Sequence, residues 1–321
     1  MLAARIIRVD RTAYDVHVGG VVLRVPSLPP PSDPLRAATV GDWLTVQDGI
    51  AVELLPRRSL LARGAASGRS EAQPLAANVD VVLICAGLHG PPPVRRVERL
   101  LTLAWESGAT PVVVLTKADL CADVEAALEV MRPHAPGADV VAVAAARGDV
   151  AALAPYTAPG TTLVLLGSSG TGKSTVVNAL AGTDVMATGD VRQVDGKGRH
   201  TTTHRELLVL PGGAVIIDTP GLRGVALTGD AQDGLAKAFA DVEHLAAACR
   251  FADCAHEAEP GCAVLASVEM GDLGQDRVES WRRLEREMAF QARRTDARLR
   301  AAERAKWKAV SKAQRVRGYR P

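Results

Sequence analysis

Aromatic residues and long apolar runs are scarce in this sequence. Phe, Trp and Tyr make up 3% of the 321 residues, so a core must be built mainly from Ala, Val and Leu. No apolar run approaches the length that a membrane-spanning helix needs, and residues 1–9 lack the apolar segment and cleavage site of a signal peptide. We therefore expect a cytoplasmic protein that does not contact a membrane.

Cysteine is scarce too, and its few positions are uneven. Three of the five cysteines fall in a short C-terminal stretch, and in a reducing compartment such crowding indicates a metal rather than disulfides. The set is Cys249, Cys254, His256 and Cys262, spaced C-x4-C-x-H-x5-C. Three thiolates and one imidazole fill a tetrahedral structural Zn²⁺ site. A catalytic zinc is disfavoured, because no position remains for a reactive water.

The formal net charge of +2 conceals an uneven distribution. Residues 281–321 contain 14 Lys/Arg and four Asp/Glu, a balance of +10, so the rest of the chain carries −8. A basic tail on an acidic body favours a polyanionic partner, with nucleic acid as the leading candidate. A solvated basic face without a partner is the alternative.

Residues 1–58 are predicted to form a small β-barrel of the OB-fold type. Five short segments alternate apolar and polar residues between turns, at 4–9, 14–18, 21–25, 43–46 and 50–55. OB-folds often bind single-stranded nucleic acid, but only Tyr14 and Trp43 are available here for base stacking. A barrel that docks on protein or supports its neighbour is equally compatible. The Arg- and Gly-rich stretch 57–73 is predicted to be a flexible connector, or else a loop that touches RNA.

Residues 59–228 alternate apolar runs of strand length with helical stretches. The predicted strands are 79–86, 111–116, 140–145 and 162–166, and the predicted helices are 94–106, 123–131 and 149–153. This alternation is typical of a parallel sheet with helices on both faces. A hairpin through Pro211-Gly212-Gly213 is predicted next. Residues 229–321 are predicted to form a helical zinc-binding domain with a basic tail, including helices at 235–248 and 275–304.

The segment Gly167-Ser168-Ser169-Gly170-Thr171-Gly172-Lys173-Ser174 matches a phosphate-binding loop between a predicted strand and a predicted helix. Its glycines let backbone N–H groups point at an anion, and the helix start adds partial positive charge. Lys173 is predicted to reach the β- and γ-phosphates and Ser174 to bind Mg²⁺. Thr175, in the first helical turn, joins the predicted nucleotide-binding residues.

Thr116-Lys117-Ala118-Asp119 follows a predicted strand and is similar to the [N/T]KxD element by which GTPases recognise guanine. Asp119 would accept hydrogen bonds from guanine N1–H and the exocyclic amine, a donor pair that adenine lacks. Thr116 replaces the usual Asn, which predicts a larger cost in affinity than in specificity. Ala145, after the next strand, is predicted to contact guanine O6 through its N–H. A P-loop ATPase is the weaker alternative.

Asp218-Thr219-Pro220-Gly221 resembles the DxxG element of GTPases. Asp218 would hold a Mg²⁺-bound water, and the Gly221 N–H would meet the γ-phosphate. Residues 198–203, Gly-Arg-His-Thr-Thr-Thr, resemble a switch I loop in which Thr201 or Thr202 completes the Mg²⁺ shell. A Thr-rich surface loop without this role is the alternative.

The order of these elements is unusual. Ordinary GTPases run phosphate loop, switch I, DxxG and NKxD, whereas here TKxD at 116 precedes the phosphate loop at 167 and DxxG at 218 comes last. This is the order of a circularly permuted GTPase. The chain therefore leaves the GTPase core just after switch II, so the C-terminal region is tethered to an element that moves on hydrolysis.

With all these motifs, the sequence resembles the RsgA (YjeQ) family of circularly permuted GTPases, which act in maturation of the bacterial small ribosomal subunit. The resemblance covers nearly the whole chain. It implies a protein that binds the small (30S) subunit and its 16S rRNA, hydrolyses GTP to GDP slowly alone and faster on the subunit, and leaves on hydrolysis. A monomer in a one-to-one complex is the simplest expectation. An rRNA-binding assembly placeholder, whose nucleotide state only sets affinity, is the alternative.

The residue that orients the attacking water is not evident from the DxxG element. Leu222 stands where Ras-like GTPases place a Gln, and its side chain cannot hydrogen-bond to water. The resemblance suggests His200, which would orient or deprotonate the water; anchoring of switch I is its alternative role. Most of the barrier reduction is expected from Lys173, Mg²⁺ and backbone N–H groups.

Overall fold

The computed structural model describes residues 1–64, 72–186, 206–218, 227 and 231–295. The strands of these ranges form three sheets, of five, six and two strands. Helices cover the six-stranded sheet and build a C-terminal lobe, residues 231–295. Within the described ranges, no helix is both long enough and apolar enough to cross a bilayer.

The N-terminal sheet is antiparallel and OB-like, as predicted. Its strands are β1 (Leu2–Val9), β2 (Ala13–Val18), β3 (Val21–Pro26), β4 (Trp43–Gln47) and β5 (Ile50–Leu54), in the order β3-β2-β1-β4-β5. Alternate residues such as Ala4, Ile6 and Val16 are fully buried, which is the period-two pattern of a sheet with one covered face. The five predicted strands therefore all form.

The predicted flexible connector is wrong at both of its ends. Strands β6 (Leu60–Arg63) and β7 (Gln73–Ala77) form a two-stranded antiparallel sheet, because Leu61 and Leu75 are buried in the main core. Arg57 is fixed as well, since its Nε and Nη2 donate to the two carboxylate oxygens of buried Asp42 at 2.7 and 2.8 Å. Residues 65–71 lie outside the described ranges.

The six-stranded sheet carries the predicted motifs. It contains β8 (Val81–Gly87), β9 (Thr110–Thr116), β10 (Asp139–Ala142), β11 (Thr162–Leu166), β12 (Glu206–Val209) and β13 (Val215–Asp218). The order is β10-β9-β8-β11-β13-β12, and only β12 runs antiparallel, in the predicted hairpin with β13. Strands β8 and β11 are buried throughout, as expected for strands covered on both faces.

Helices cover both faces of this sheet, as predicted. Helix α1 (Val94–Glu106) and helix α2 (Val124–Met131) share one core cluster with the sheet, and helix α3 (Lys173–Ala181) belongs to the cluster on the other face. The predicted helix at 149–153 is instead a 3₁₀ segment, Ala151–Tyr156, which contains Pro155 and so cannot continue as a regular α-helix.

The C-terminal lobe contains α4 (Gln232–Ala238), α5 (Ala240–Ala246), α6 (Ala263–Met270) and α7 (Gln275–Thr295). The single helix predicted at 235–248 is wrong, because the chain breaks at Phe239, with φ −124° and ψ 38°. The Phe239 ring is fully buried, and burying it requires this change of direction. The predicted helix at 275–304 is present from Gln275 to Thr295, the last described residue. Its apolar stripe is buried and consists of Val278, Trp281, Leu284 and Met288.

Candidate nucleotide and metal sites

The segment 167–174 forms a tight loop between β11 and α3. Gly167, Gly170 and Gly172 have φ values of 145°, 77° and 82°, a region that residues with a Cβ avoid. A Cβ on Gly167 would lie 2.5 Å from the carbonyl oxygen of Cys85 in β8. Glycine is therefore required both for the backbone conformation and for the close approach of the neighbouring strand.

Lys173 folds back over this loop. Its Nζ donates to the carbonyl oxygens of Gly167 at 2.9 Å and Ser168 at 2.6 Å. Gly172 precedes α3, and among the described residues no side chain caps that helix start. The loop thus presents an ammonium group and uncapped helical N–H donors together, which is an anion-binding arrangement.

A second motif meets the loop at the carboxyl end of β9. The Thr116 hydroxyl donates to the Thr171 carbonyl at 2.6 Å, so the TKxD strand is bonded directly to the phosphate loop. Lys117 adopts a left-handed conformation with φ 60°, and the Ala118 N–H donates to Val143 at 3.1 Å. The predicted contact residue Ala145 is buried in the turn after β10.

Asp119 carries an acceptor that the described protein leaves unused. Its side chain is 13% exposed, and its Oδ2 lies 3.9 Å from the Nε of Arg147, which is 71% exposed. Its Oδ1 is buried and has no hydrogen-bond partner in the described part of the chain. A buried carboxylate oxygen without a donor is costly, so this position is suited to a ligand that brings N–H donors.

The other predicted nucleotide residues are placed only in part. Asp218 ends β13, which runs parallel to β11 with Val164 opposite Ile217, so Asp218 lies at the same sheet edge as Gly167. Ser174 and Thr175 lie in the first turn of α3. His200, Thr201, Thr202 and Gly221 lie outside the described ranges, as do Leu222 and the tail from residue 296.

The four predicted metal ligands converge between α5 and α6. Their ligand atoms all lie within 4.8 Å of one another. Cys249 Sγ is 3.8 Å from Cys262 Sγ, and His256 Nδ1 is 3.5 and 3.4 Å from these two sulfurs. Metal–sulfur bonds of about 2.3 Å and metal–nitrogen bonds of about 2.0–2.1 Å give tetrahedral edges of roughly these lengths. The donor set therefore fits a tetrahedral ion.

Comparison with known proteins decides the family. The family model described as RsgA GTPase matches residues 54–228. Over 96% of this chain, the sequence is 50% identical to a Streptomyces avermitilis protein named small ribosomal subunit biogenesis GTPase RsgA, of which it covers 85%. A Streptomyces coelicolor protein of the same name is 48% identical over 98% of this chain and is covered to 88%.

The chain belongs to the RsgA GTPase family. It is therefore a hydrolase that acts on GTP, and the predicted family and enzyme class are confirmed. The fold agrees with solved structures: YjeQ from Thermotoga maritima matches 89% of this chain and 98% of its own with a TM-score of 0.64 at 23% identity. YloQ, described as a circularly permuted GTPase, matches 90% of this chain and 95% of its own with a TM-score of 0.63 at 22% identity. The predicted three-part fold class is confirmed.

In this member of the family, a carboxylate that the sequence did not predict stabilises the metal loop. Glu259 accepts from the N–H groups of Ala255, Glu257 and Ala258 at 2.8–3.0 Å. These backbone donors, with Ala255 first, lower the pKa of Glu259 to about 2. Burial lowers the pKa of the His256 imidazole, which favours the neutral form that binds a metal. The spacing of the ligands gave no sign of this support.

A buried ion network joins the GTPase core to the C-terminal lobe, and no sequence motif predicted it. Glu98 of α1 is fully buried and accepts from Arg277 Nη1 at 2.8 Å and from the Ser280 hydroxyl, both in α7. His134 Nδ1 lies 2.9 Å from the same carboxylate. Arg277 also donates to Asp241 at 2.8 and 2.9 Å. Glu98 and Arg277 are 179 positions apart in the sequence, so the structure is needed to show that they are paired.

Proposed function

We propose that this chain binds the small (30S) ribosomal subunit and assists its late maturation, hydrolysing GTP to GDP and phosphate with stimulation by the subunit. The names of the relatives support the biological role, since this chain covers most of their length. The observation that supports the guanine preference is the buried Asp119 Oδ1, which has no hydrogen-bond partner among the described residues. Asp119 lies three residues after Thr116, whose hydroxyl donates to the phosphate loop.

The nucleotide would lie across the carboxyl edge of the six-stranded sheet. Asp119 would accept from the guanine N1–H and amino group, Lys117 would cover the base with its stem, and Ala145 would contact O6. The phosphates would rest on the loop and the first turn of α3. The proposed contacts there are Gly167, Ser168, Ser169, Gly170, Thr171, Gly172, Lys173, Ser174 and Thr175, with Thr116 and Ala118 supporting the base end.

Hydrolysis would proceed by attack of water on the γ-phosphate. Mg²⁺, bound with the nucleotide, would neutralise charge on the β- and γ-phosphates. Ser174, Asp218 and either Thr201 or Thr202 are its proposed ligands, directly or through water, and the Gly221 N–H would bind the γ-phosphate. Lys173 would stabilise the developing charge. His200 is proposed to position the water.

The metal is proposed to be one structural Zn²⁺ held by Cys249, Cys254, His256 and Cys262. A Cys₃His set is a ligand class that proteins use for zinc. Four protein ligands complete the coordination, so the site would hold the loop between α5 and α6 in place and take no part in the hydrolysis.

The remaining assignments are proposals from sequence and family. The basic residues of the tail would contact phosphates of 16S rRNA, and the OB-like sheet would assist docking. We propose a cytoplasmic monomer divided into an OB-like domain at 1–58, a permuted GTPase domain at 59–228 and a zinc domain at 229–321.

The proposal is tested by measuring GTP hydrolysis with and without purified small ribosomal subunits, with ATP as the control nucleotide. Strong stimulation of GTP turnover alone would support the guanine preference and the ribosomal role together. Tight GTP binding without any stimulation would remove the small subunit as the activating partner.

The role of hydrolysis is tested with His200→Ala. If hydrolysis drives release, this variant keeps GTP binding, loses turnover and stays on the subunit in sedimentation experiments. His244→Ala, which changes an exposed residue of α5, is the matched control. Normal release of the His200 variant despite lost turnover would favour the placeholder alternative.

A further inference from the structure

A second cation lies at the phosphate loop besides Lys173. Arg96, in the first turn of α1, donates from its Nη1 to the hydroxyl of Ser168 at 2.6 Å. The carbonyl of the same Ser168 accepts from Lys173 Nζ at 2.6 Å. One loop residue thus contacts both cations, the first through its side chain and the second through its backbone.

These contacts show which end of the nucleotide Arg96 would face. The lysine of a phosphate-binding loop reaches the β- and γ-phosphates, so Ser168 marks the end of the loop where the terminal phosphate lies. The guanidinium of Arg96 is one hydrogen bond from this residue.

The start of α1 is placed firmly beside the loop. The chain after β8 is tied to β9 by the Leu88 N–H, which donates to the Thr116 carbonyl at 2.9 Å. A Cβ on Gly87 would lie 3.6 Å from the Cα of Thr171, so the end of β8 touches the phosphate loop. Three consecutive prolines, 91–93, then lead into the helix and restrict its entry.

The opposite side of α1 is held by α7, which prevents the helix from shifting. Glu98 binds Arg277 in a fully buried pair, and the Arg99 guanidinium makes a two-pronged pair with Glu287. Arg96, by contrast, has an exposed side chain. A rigid helix therefore carries an exposed arginine whose guanidinium lies at the phosphate loop.

We infer that Arg96 is a further phosphate-contacting residue of this GTP site, supplied within the same chain. The inference rests on the proposed function and deepens it. The Ser168 hydroxyl is a neutral acceptor, whereas the γ-phosphate is an anion that a guanidinium can bind through two parallel N–H donors. When GTP binds, Arg96 exchanges the hydroxyl for the γ-phosphate.

The arginine contributes charge and no proton. In the reaction a water oxygen forms a bond to the γ-phosphorus while the bond from that phosphorus to the β–γ bridging oxygen breaks, and GDP leaves with the electron pair. One proton of the water stays on the inorganic phosphate and the other passes to solvent. Arginine stays protonated in proteins, so Arg96 stabilises the oxygens of the transferred group throughout. GDP has no γ-phosphate, and its affinity is independent of this contact.

The experiment compares Arg96→Ala and Arg96→Lys with Arg95→Ala in the full chain. Arg95 is the matched control, because it is the adjacent exposed arginine and pairs with Glu279 of α7 at 3.4 Å. Affinities for fluorescent GTP and GDP analogues and single-turnover hydrolysis rates are measured with and without small subunits. Thermal melting confirms that each variant is folded.

The expected result is specific to the terminal phosphate. Arg96→Ala lowers the hydrolysis rate by about 100- to 1,000-fold, the scale for loss of one transition-state donor, with GDP affinity unchanged. Arg96→Lys keeps part of the rate, and Arg95→Ala behaves as wild type. Equal rates in the Arg96 and Arg95 variants, or equal losses of GTP and GDP affinity, would overturn the inference alone. A wild-type chain that does not hydrolyse GTP would overturn the proposed function as well.

Discussion

Among the described residues of the nucleotide site, Asp119 has a buried side-chain acceptor that a ligand could satisfy. Its Oδ1 is buried without a partner, and Arg147, 3.9 Å from Oδ2 and largely exposed, compensates little of that burial. Two N–H donors from a guanine base would satisfy the carboxylate. The same geometry would penalise adenine, which brings no such pair, so the proposed guanine specificity would follow from an unsatisfied acceptor.

Changing this acceptor to an amide should change the preferred base. In Asp119→Asn, one carboxylate oxygen becomes an N–H₂ donor, which suits the O2 carbonyl of xanthine and opposes the amino group of guanine. We expect GTP affinity to fall by about 10- to 100-fold, since a hydrogen bond to a charged group contributes about 1.5–3 kcal/mol, and xanthosine triphosphate to bind better than GTP.

Competition binding with the two nucleotides checks this expectation. Asp123→Asn is the control, because Asp123 caps α2 through the Ala126 N–H at 2.9 Å and Asn caps helices equally well. A GTP preference that survives in the Asp119 variant would remove the base-contacting role from this residue.

Cys85 should be inert although it adjoins the phosphate loop. Burial raises the pKa of its thiol to about 12. The pKa of Cys85 in the folded protein therefore lies above the unfolded-state pKa of about 8.5. The free energy that the buried neutral thiol contributes to stability is constant below about pH 8.5 and decreases as the pH rises above that value. With iodoacetamide between pH 7 and 9, mass spectrometry should show Cys121 alkylated and Cys85 protected. Labelling of both thiols at one rate would contradict this.

At the scale of elements, α1 connects the phosphate loop to the C-terminal lobe. Its first turn touches the phosphate loop, its middle carries buried Glu98, and its last turn binds α4, where the Glu106 carboxylate accepts from the Gly234 N–H at 2.9 Å. Removing one member of a buried ion pair typically lowers the free energy of unfolding by about 3–5 kcal/mol. We therefore expect the loss of either Glu98 or Arg277 to destabilise the contact between α1 and α7.

The packing of α4 on α1 depends on Gly234. A Cβ at this position would lie 2.2 Å from the Thr102 carbonyl oxygen and 2.8 Å from the Glu106 side chain. We expect Gly234→Ala to lower the free energy of unfolding by about 1–3 kcal/mol through overpacking, measured by urea titration. Gly90→Ala should be nearly neutral, since its Cβ would meet open space. Equal stabilities of the two variants would refute close packing here.

The elements differ in how far the sequence could predict them. The bounds of α1 at 94 and 106 were predicted without error, because apolar spacing and flanking Pro and Gly mark it. The break at Phe239 was missed, since an alanine-rich stretch contains no local stop signal and the cause is burial of the ring. The strand β6, Leu60–Arg63, was missed because it has four residues and lies in an Arg- and Gly-rich stretch, although Leu61 is buried.

The candidate sites show the same division. The loop 167–174 and the ligand set from Cys249 to Cys262 could be found, because each lies within one short stretch of chain. The Thr116–Thr171 bond, the Arg96–Ser168 contact and the Glu98–Arg277 pair join distant positions, and no local pattern encodes such pairings. The contacts between side chains that are distant in the sequence could therefore be identified only from the structure.

At the scale of the whole molecule, the C-terminal lobe and the parallel sheet share one core. A single cluster includes Val82 and Leu115 of the sheet, Phe239 and Trp281 of the lobe and the metal-site residue Cys262. The His256 ring lies 5.5 Å from the Trp281 ring. Loss of the metal site should thus affect the stability of the joined body and not only of a peripheral loop.

Removal of one metal ligand tests this coupling. Cys254→Ser should abolish stoichiometric zinc in the purified protein and lower the melting temperature, because loss of a structural metal belongs to the mutations that cost more than about 4 kcal/mol. Cys121→Ser, a half-buried thiol outside the cluster, should retain both. Elemental analysis and calorimetry provide the readouts. Full zinc content in Cys254→Ser would disprove its role as a ligand.

The sheet order has a consequence for synthesis of the chain. Strand β8 lies between β9 and β11, and β11 begins 75 residues after β8 ends at Gly87. At about 5–20 residues per second, the emerging polypeptide presents one apolar edge of β8 unpaired for several seconds. Such edges recruit other strands, so a nascent chain stalled before residue 162 should depend on chaperones, whereas one released after residue 218 should not.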